Sequence, residues 1–358
     1  MSRYTRRVIG TAAALAALLP RLSAAEWLAL DTEADSLHAY PEKICLIQIS
    51  IAGADELVDP LTGIELNPLW AALRGRGLIL HGADYDLRLF HEHHRFRPHE
   101  VFDTMIAARL AGVERFGLGD LVELFLGVKL DKAPQKANWA MRPLSQRLLD
   151  YARRDTHHLK ALSDMLITRL REQGRLGWCE ESCAKLVADC ARDPVVDEDE
   201  VWRLKGSGRL SRPALAVLRE VWHWREREAL AWNRPPFFVL MHDLVVSVAN
   251  AAAHGGPWED FLPRRWPPRR FESLREAVRR GLAAPHDRQP AQVRHVARHP
   301  TAAEKRRFEE LKLRRDRKAG ELRIDPTLIA SRVTLDELAR GGDAAWAGLM
   351  CWQRELLR

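Results

Sequence analysis

The sequence predicts an α/β domain built on a mixed sheet, followed by two small all-helical domains. Three observations carry this. Apolar, β-forming runs occur at residues 27–33, 44–50, 56–58 and 77–80; the first three are joined by short loops, and helical patterns follow the last. Strands joined by short loops pair antiparallel, whereas strands separated by helices add in parallel, so one sheet should contain both kinds of pairing. Beyond the acidic stretch 193–200 only helical patterns remain, and the charge changes sign there. Residues 1–200 carry 25 Lys+Arg against 30 Asp+Glu, a balance of −5, and residues 201–358 carry 31 against 19, a balance of +12.

Taken in order, the Ala/Leu-rich run reads as an amphipathic helix capped near Thr11 and packed on the first strand. Arg6-Arg7 and the Ala/Leu-rich run imitate an export signal, but Arg21 closely follows that run, and the cleavage site would abut the first core strand, so a cytoplasmic chain is expected. After the three hairpin-like strands, Asn67 is a candidate N-cap and Pro68 a first-turn proline for a helix over 68–73. Helices are expected over 85–93, 103–111 and 118–126, one long helix from 145 to about 172, and another over 178–191. The expected domains are 1–190, a linker at 191–207, a helical domain at 208–285 and a second at 291–358. The later helices are placed at 210–233, 238–253, 271–282, 302–319, 326–329, 335–339 and 344–357.

Composition excludes several classes. A hydrophobic content of 46% supports real cores, and no stretch is long and apolar enough to span a membrane. The five cysteines form no Cys-x-x-Cys pair, and Cys179, Cys183 and Cys190 recur at helical spacing, which reads as one buried helix face in a reducing compartment. No Gly-rich phosphate loop and no Gly-x-Ser-x-Gly elbow is present, so neither a nucleotide cofactor nor α/β-hydrolase chemistry is expected. Adjacent residues in His91-Glu92-His93-His94 diverge around a helix end and do not make a metal site.

The chemistry gathers on acids. The first strand ends in Asp31-Thr32-Glu33, and alternation puts Asp31 and Glu33 on the same side of the sheet. Like charges side by side at the end of a buried strand repel and lose hydration, a penalty that hard divalent cations with oxygen ligands remove. Asp86 follows in His81-Gly82-Ala83-Asp84-Tyr85-Asp86, on a first helical turn that favours a carboxylate. Tyr151 and Asp155 lie four apart, hence on one face of the long helix.

Asp31-x-Glu33, Asp86 and Tyr151-x-x-x-Asp155, in this order and spacing, resemble the three exonuclease motifs of the DEDDy subclass. Lys132, Gln135 and Trp139-Ala140-x-Arg142-Pro143-Leu144 resemble the segment before the third motif in the ribonuclease D family. The helical regions at about 208–285 and, more weakly, 291–358 resemble that family's paired HRDC domains. Many relatives have Asn where this chain has Gly82.

The resemblance implies an RNase H-like fold and a two-metal phosphodiesterase, a 3′→5′ exoribonuclease releasing 5′-nucleotides, with precursor tRNA 3′ ends as substrate. Asp31 would bridge two Mg²⁺ or Mn²⁺ ions, Glu33 and Asp155 would hold the one that activates water, Asp86 would support the second, and Tyr151 would orient the water. Lys132, Gln135 and Arg142, with Arg264, Arg265, Arg269 and Arg270 of the basic half, would bind RNA, and the protein is expected to be a monomer. Trp222, Trp224 and Trp232 share a helix, and core packing is expected of them rather than base stacking. A DNA-directed 3′→5′ exonuclease and a catalytically silent nucleic-acid scaffold are the rival readings. RNA against DNA strands separates the first, because only RNA offers a 2′-hydroxyl, and a metal titration separates the second.

Overall fold

The computed structural model describes residues 8–130, 137–193, 197–263, 265–293, 299–341 and 343–358. They divide into two compact units. Residues 8–34, 44–193 and 299–358 make one, and residues 35–43 with 197–293 make the other.

The first unit opens with helix α1 (Ala12–Ala24), whose Thr11 side chain accepts from the Ala14 N–H and whose Leu15, Leu18 and Leu22 are buried. Strands β1 (Leu28–Ala34), β2 (Ile44–Ile51) and β3 (Ala54–Val58) follow as an antiparallel set. After α2 (Asn67–Leu73) come β4 (Gly77–Leu80), α3 (Asp84–His94), β5 (Glu100–Asp103), α4 (Thr104–Leu110) and α5 (Leu118–Leu126). The sheet order is β3-β2-β1-β4-β5, with β4 and β5 parallel to β1. This is the expected mixed sheet with helices packed on it, an RNase H-like arrangement. Helices α6 (Gln146–His157), α7 (Leu159–Glu172) and α8 (Leu176–Cys190) complete the domain, and Cys179, Cys183 and Cys190 lie buried on α8 as their spacing implied.

Three local expectations are corrected. The strand β5 was not foreseen, because only Val101 and Asp103 of its four residues are buried and no alternating run announces it. The long helix over 145–172 is two helices, interrupted at His158 (φ −94°, ψ −6°), which ends the first and precedes the second. Leu66 rather than Asn67 is the N-cap of α2 and offers no side-chain bond; Asn67 is the first helical residue, ahead of Pro68.

In the second unit, α9 (Arg212–Trp232), α10 (Pro236–Val239), α11 (His242–Ala253) and α12 (Pro268–Leu282) pack around Leu215, Leu218, Val221, Trp224, Val245, Val248 and Leu274. Asn233 ends α9 in the left-handed conformation at φ 49°. The loop 35–43 belongs here: Tyr40 donates its hydroxyl to Glu226 at 2.7 Å, and its N–H to Asn233 at 3.2 Å.

Helices α13 (Ala302–Leu322), α14 (Pro326–Ile329), α15 (Arg332–Ala339), α16 (Asp343–Ala347) and α17 (Cys351–Leu357) return to the first unit. Their apolar faces share one core with α4, α5, α7 and α8, where Trp178 stacks on Trp352 at 5.0 Å and the Arg175 guanidinium donates to the Leu322 carbonyl at 2.8 Å. Helical periodicity shows that such a face is apolar and not what covers it. Among the described residues, no helix is long and apolar enough to cross a membrane.

The α9–α12 contact depends on a missing side chain. A Cβ at Gly281 would lie 2.5 Å from the Val217 Cα. Alanine favours helix by about 1 kcal/mol over glycine, but backbone cannot yield as a side-chain tip does. Gly281→Ala should therefore destabilise the second unit by about 1–3 kcal/mol in urea unfolding, whereas helix propensity alone predicts a gain.

Candidate active site

The site is assembled by β1, α3 and α6. On β1, Asp31 and Glu33 leave the same face, opposite Gln48 and Leu46 of β2. Helix α6 covers that face: Ala152 and Tyr151 pack with Leu46 and Leu57, and the Thr156 hydroxyl lies 2.7 Å from that of Ser50. This seating delivers Asp155 to the end of β1. One carboxylate oxygen from each of Asp31, Glu33 and Asp155 lies within 4.8 Å of the others.

Asp86 reaches the cluster from the first turn of α3. The loop before that helix is held by Asp103, which accepts the N–H groups of Gly82 and Ala83 at 3.0 and 2.8 Å. The Thr32 hydroxyl, between the two β1 acids, donates to the Asp86 carboxylate at 2.5 Å. The Tyr151 hydroxyl is hydrogen-bonded to Asp155. Four of the five residues singled out from the sequence, Asp31, Glu33, Tyr151 and Asp155, line a groove of about 790 Å³ that is also walled by His81, Met105, Gly117, Leu118 and Asp120. Asp86 stands beside it, outside its lining, tied to Thr32 and near enough to act on Asp31 and Glu33.

Electrostatics make this place expensive for the bare chain. Burial pushes the Asp31 carboxyl well above the ordinary range, and Asp86, Asp155 and Glu33 push it further. Burial, then repulsion from Asp155 and Asp86, raises Glu33 to about 9. Asp86 rises to about 6 and Asp155 to about 7, in both cases through burial, with Thr32 and Tyr151 respectively holding the rise back. The Tyr151 phenol is raised by burial and then by Asp155, Glu33 and Asp31, so it remains a phenol at neutral pH. A set of hard oxygen donors, crowded, poorly hydrated and open to a groove, is the donor chemistry that a divalent cation requires.

Sequence reasoning missed His81 as a groove residue. Thr104 has one hydroxyl proton and gives it to the Leu80 carbonyl at 3.1 Å, so it accepts from His81 Nδ1–H at 2.9 Å. Burial also lowers the His81 pKa. The neutral ring then keeps Nε2 as an acceptor, and its signal in the sequence was the His that opens the Asp86 motif.

Two expected RNA contacts are corrected. Arg142 has no donor left for a phosphate: Nε and one terminal nitrogen grip Asp59 at 2.6 and 2.7 Å. That second nitrogen also donates to the Cys45 carbonyl at 2.7 Å, and the third donates to the carbonyls of Trp139 and Met141 at 2.6 and 2.8 Å. It is a clamp that fastens 139–142 to the sheet. Arg270 is 5% exposed, with its guanidinium 3.3 Å above the Trp232 ring and paired with Glu228 at 3.3 Å. Arg265 and Arg269 are exposed. Lys132, Gln135 and Arg264 lie outside the described residues. Trp224 is buried in its helical core and Trp222 packs against it, as expected, while Trp232 is half exposed beneath Arg270.

A family model described as 3′-5′ exonuclease matches residues 7–171. Ribonuclease D of Zymomonas mobilis is 37% identical over 64% of this chain; the match spans 59% of that protein, a little under two thirds of its length. Ribonuclease D of Jannaschia sp. is 30% identical over 97% of this chain and 92% of its own length. Among solved structures, Escherichia coli RNase D, described as an exoribonuclease involved in structured RNA processing, superposes with a TM-score of 0.76 at 26% identity, covering 94% of this chain and 90% of that one. A protein from Bifidobacterium adolescentis shares the fold, with a TM-score of 0.82 at 23% identity.

The raised carboxyls give stability a defined pH dependence. Groups whose pKa is higher in the folded state take up protons on folding. Their penalty is therefore absent below the unfolded carboxylate range and grows as pH rises through about 6, 7 and 9. The metal-free protein should lose melting temperature between pH ~5 and ~9, and Mg²⁺ should restore it by an increment that widens with pH. A melting temperature independent of both pH and Mg²⁺ over that range would count against the electrostatic picture.

Proposed function

The chain belongs to the ribonuclease D family, and from that premise we propose that it is a metal-dependent 3′→5′ exoribonuclease releasing 5′-nucleotides from RNA 3′ ends. The observation that carries the reading is the meeting of Asp31, Glu33, Tyr151 and Asp155 in one groove, with Asp86 beside them through Thr32. Asp31, Glu33, Asp86 and Asp155 would hold two divalent cations. When bound, those ions would stabilise charge at the phosphorus and lower the pKa of a water so that it can attack as hydroxide.

The remaining work falls to the chain itself. Thr32 fixes the Asp86 carboxylate and Tyr151 fixes that of Asp155. Tyr151, held as a phenol, orients the attacking water by hydrogen bonding and takes no proton from it. Ser50 pins Thr156, and through α6 the position of Asp155. The groove, of about 790 Å³, is lined also by the first turn of α5, Leu118, Gly119 and Asp120, and is the proposed seat of the terminal nucleotide.

We take the helices at 208–285 as an HRDC domain and those at 291–358 as a second, degenerate one, with exposed Arg265 and Arg269 contacting the RNA backbone. Precursor tRNA 3′ ends are the proposed substrate, bound by a monomer. Five free cysteines support a reducing, cytoplasmic setting.

Asp31→Asn should abolish Mg²⁺-dependent release of 5′-nucleotides from a 3′-extended tRNA while leaving the circular dichroism unchanged. Undiminished release by that variant would refute the assignment. Tyr151→Phe should retain activity, lowered about 10- to 100-fold by a less well placed water. A matched DNA strand should be digested more slowly than RNA. Replacing Arg265 and Arg269 together by alanine should flatten the salt dependence of single-stranded RNA binding by about 1.4 in log–log slope.

A further inference from the structure

At the centre of β2, Gln48 stands directly opposite Asp31 on one side and Leu57 on the other. Opposed residues of an antiparallel pair project from the same face, with Cβ atoms about 5 Å apart. Gln48 therefore lies on the carboxylate face under α6. Along its strand it is flanked by Leu46, which packs with Ala152, and by Ser50, which holds Thr156. Its side chain is completely buried, and neither Nε2 nor Oε1 has a partner. No other described side chain has both its donor and its acceptor buried and unpaired. Buried polar groups are paired in the great majority of cases, so an amide kept here calls for a partner that arrives later.

The acids differ in the donors that hold them. Asp155 has the Tyr151 hydroxyl and Asp86 has the Thr32 hydroxyl. Among the described residues, Asp31 has only a backbone N–H, that of Thr32. Among those residues Glu33 has no such donor, and Asp31, the most crowded carboxylate, has no side-chain donor; an unspent amide stands across the strand from Asp31.

We propose that Gln48 is a positioning residue for Asp31: with cations in the site, its Nε2–H donates to one oxygen of the Asp31 carboxylate and turns the other toward the ions. This rests on the metal-site reading above. An amide is suited to the task, because it donates without adding charge to a place where a further carboxylate would repel and an ammonium would compete with the cation. Orientation of this kind is what outer partners supply to metal ligands, and their loss weakens affinity without unfolding the protein.

The test is calorimetric titration of Mn²⁺ into the metal-free full chain, for the parent and for Gln48→Met and Gln48→Leu, paired with steady-state nucleotide release. Mn²⁺ binding and Mn²⁺-dependent release by the parent report on the metal-site reading. The ratio of variant to parent reports on Gln48. Both variants should bind Mn²⁺ about 10- to 100-fold more weakly and lose kcat with KM for RNA unchanged. Their metal-free forms should melt at or above the parent's temperature, since an unpaired amide has been replaced by an apolar group of similar size. Parent-like Mn²⁺ affinity in either variant overturns the proposal, and would fit an amide that merely holds a trapped water. A lowered melting temperature of the metal-free variants, up to failure to fold, also overturns it, because the amide would then serve the free fold.

Discussion

The constraint on which the structure turns is the mutual repulsion of four carboxylates in a place where water cannot fully screen them. Left alone, a folded chain avoids such a cluster, since burial and like charge both oppose ionisation. Here the scaffold enforces it from three directions. β1 supplies two acids by alternation, α3 supplies a third at its first turn, and α6 lowers the fourth onto the end of the sheet. Each support is itself a polar device: Asp103 holds the loop before α3, Thr32 ties Asp86 to β1, and Ser50 ties α6 to β2. The cost of assembling the cluster is accepted where a cation removes it.

Packing explains why the cluster can be rigid. The face that carries the acids is closed by Trp139, Ala152, Leu46 and Leu57, and the segment leading to α6 is clamped by every N–H of Arg142. On the other side of the domain, α4, α7 and α8 bury their apolar faces against helices from the end of the chain. A glycine at 112 permits that approach, since a Cβ there would lie 2.6 Å from the Arg323 carbonyl oxygen, and its φ of 77° already favours glycine.

What could be read from the residues was whatever local geometry dictates. Alternation placed Asp31 with Glu33, helical spacing placed Tyr151 with Asp155, and Thr11 marked a helix start that its side chain does cap. Features decided by tertiary partners were out of reach. Arg142 and Arg270 look like phosphate ligands in a basic sequence, yet one is exhausted by Asp59 and backbone carbonyls and the other is held over Trp232. Gln48 sits in a strand buried along its whole length, where its identity says little until register sets it across from Asp31. The break at His158 carries neither glycine nor proline to announce it.

Convergence of the acids is the central claim, and proton release on metal binding tests it most directly. Carboxyls raised to about 6, 7 and 9 are partly protonated near neutral pH, and a cation can bind only by displacing those protons. Titrating Mn²⁺ into the metal-free protein at neutral pH, in buffers of different ionisation enthalpy, should show protons released on binding, in a number that declines as pH approaches the alkaline limit of the cluster. Binding with no proton release at neutral pH, or no binding at all, would contradict the account.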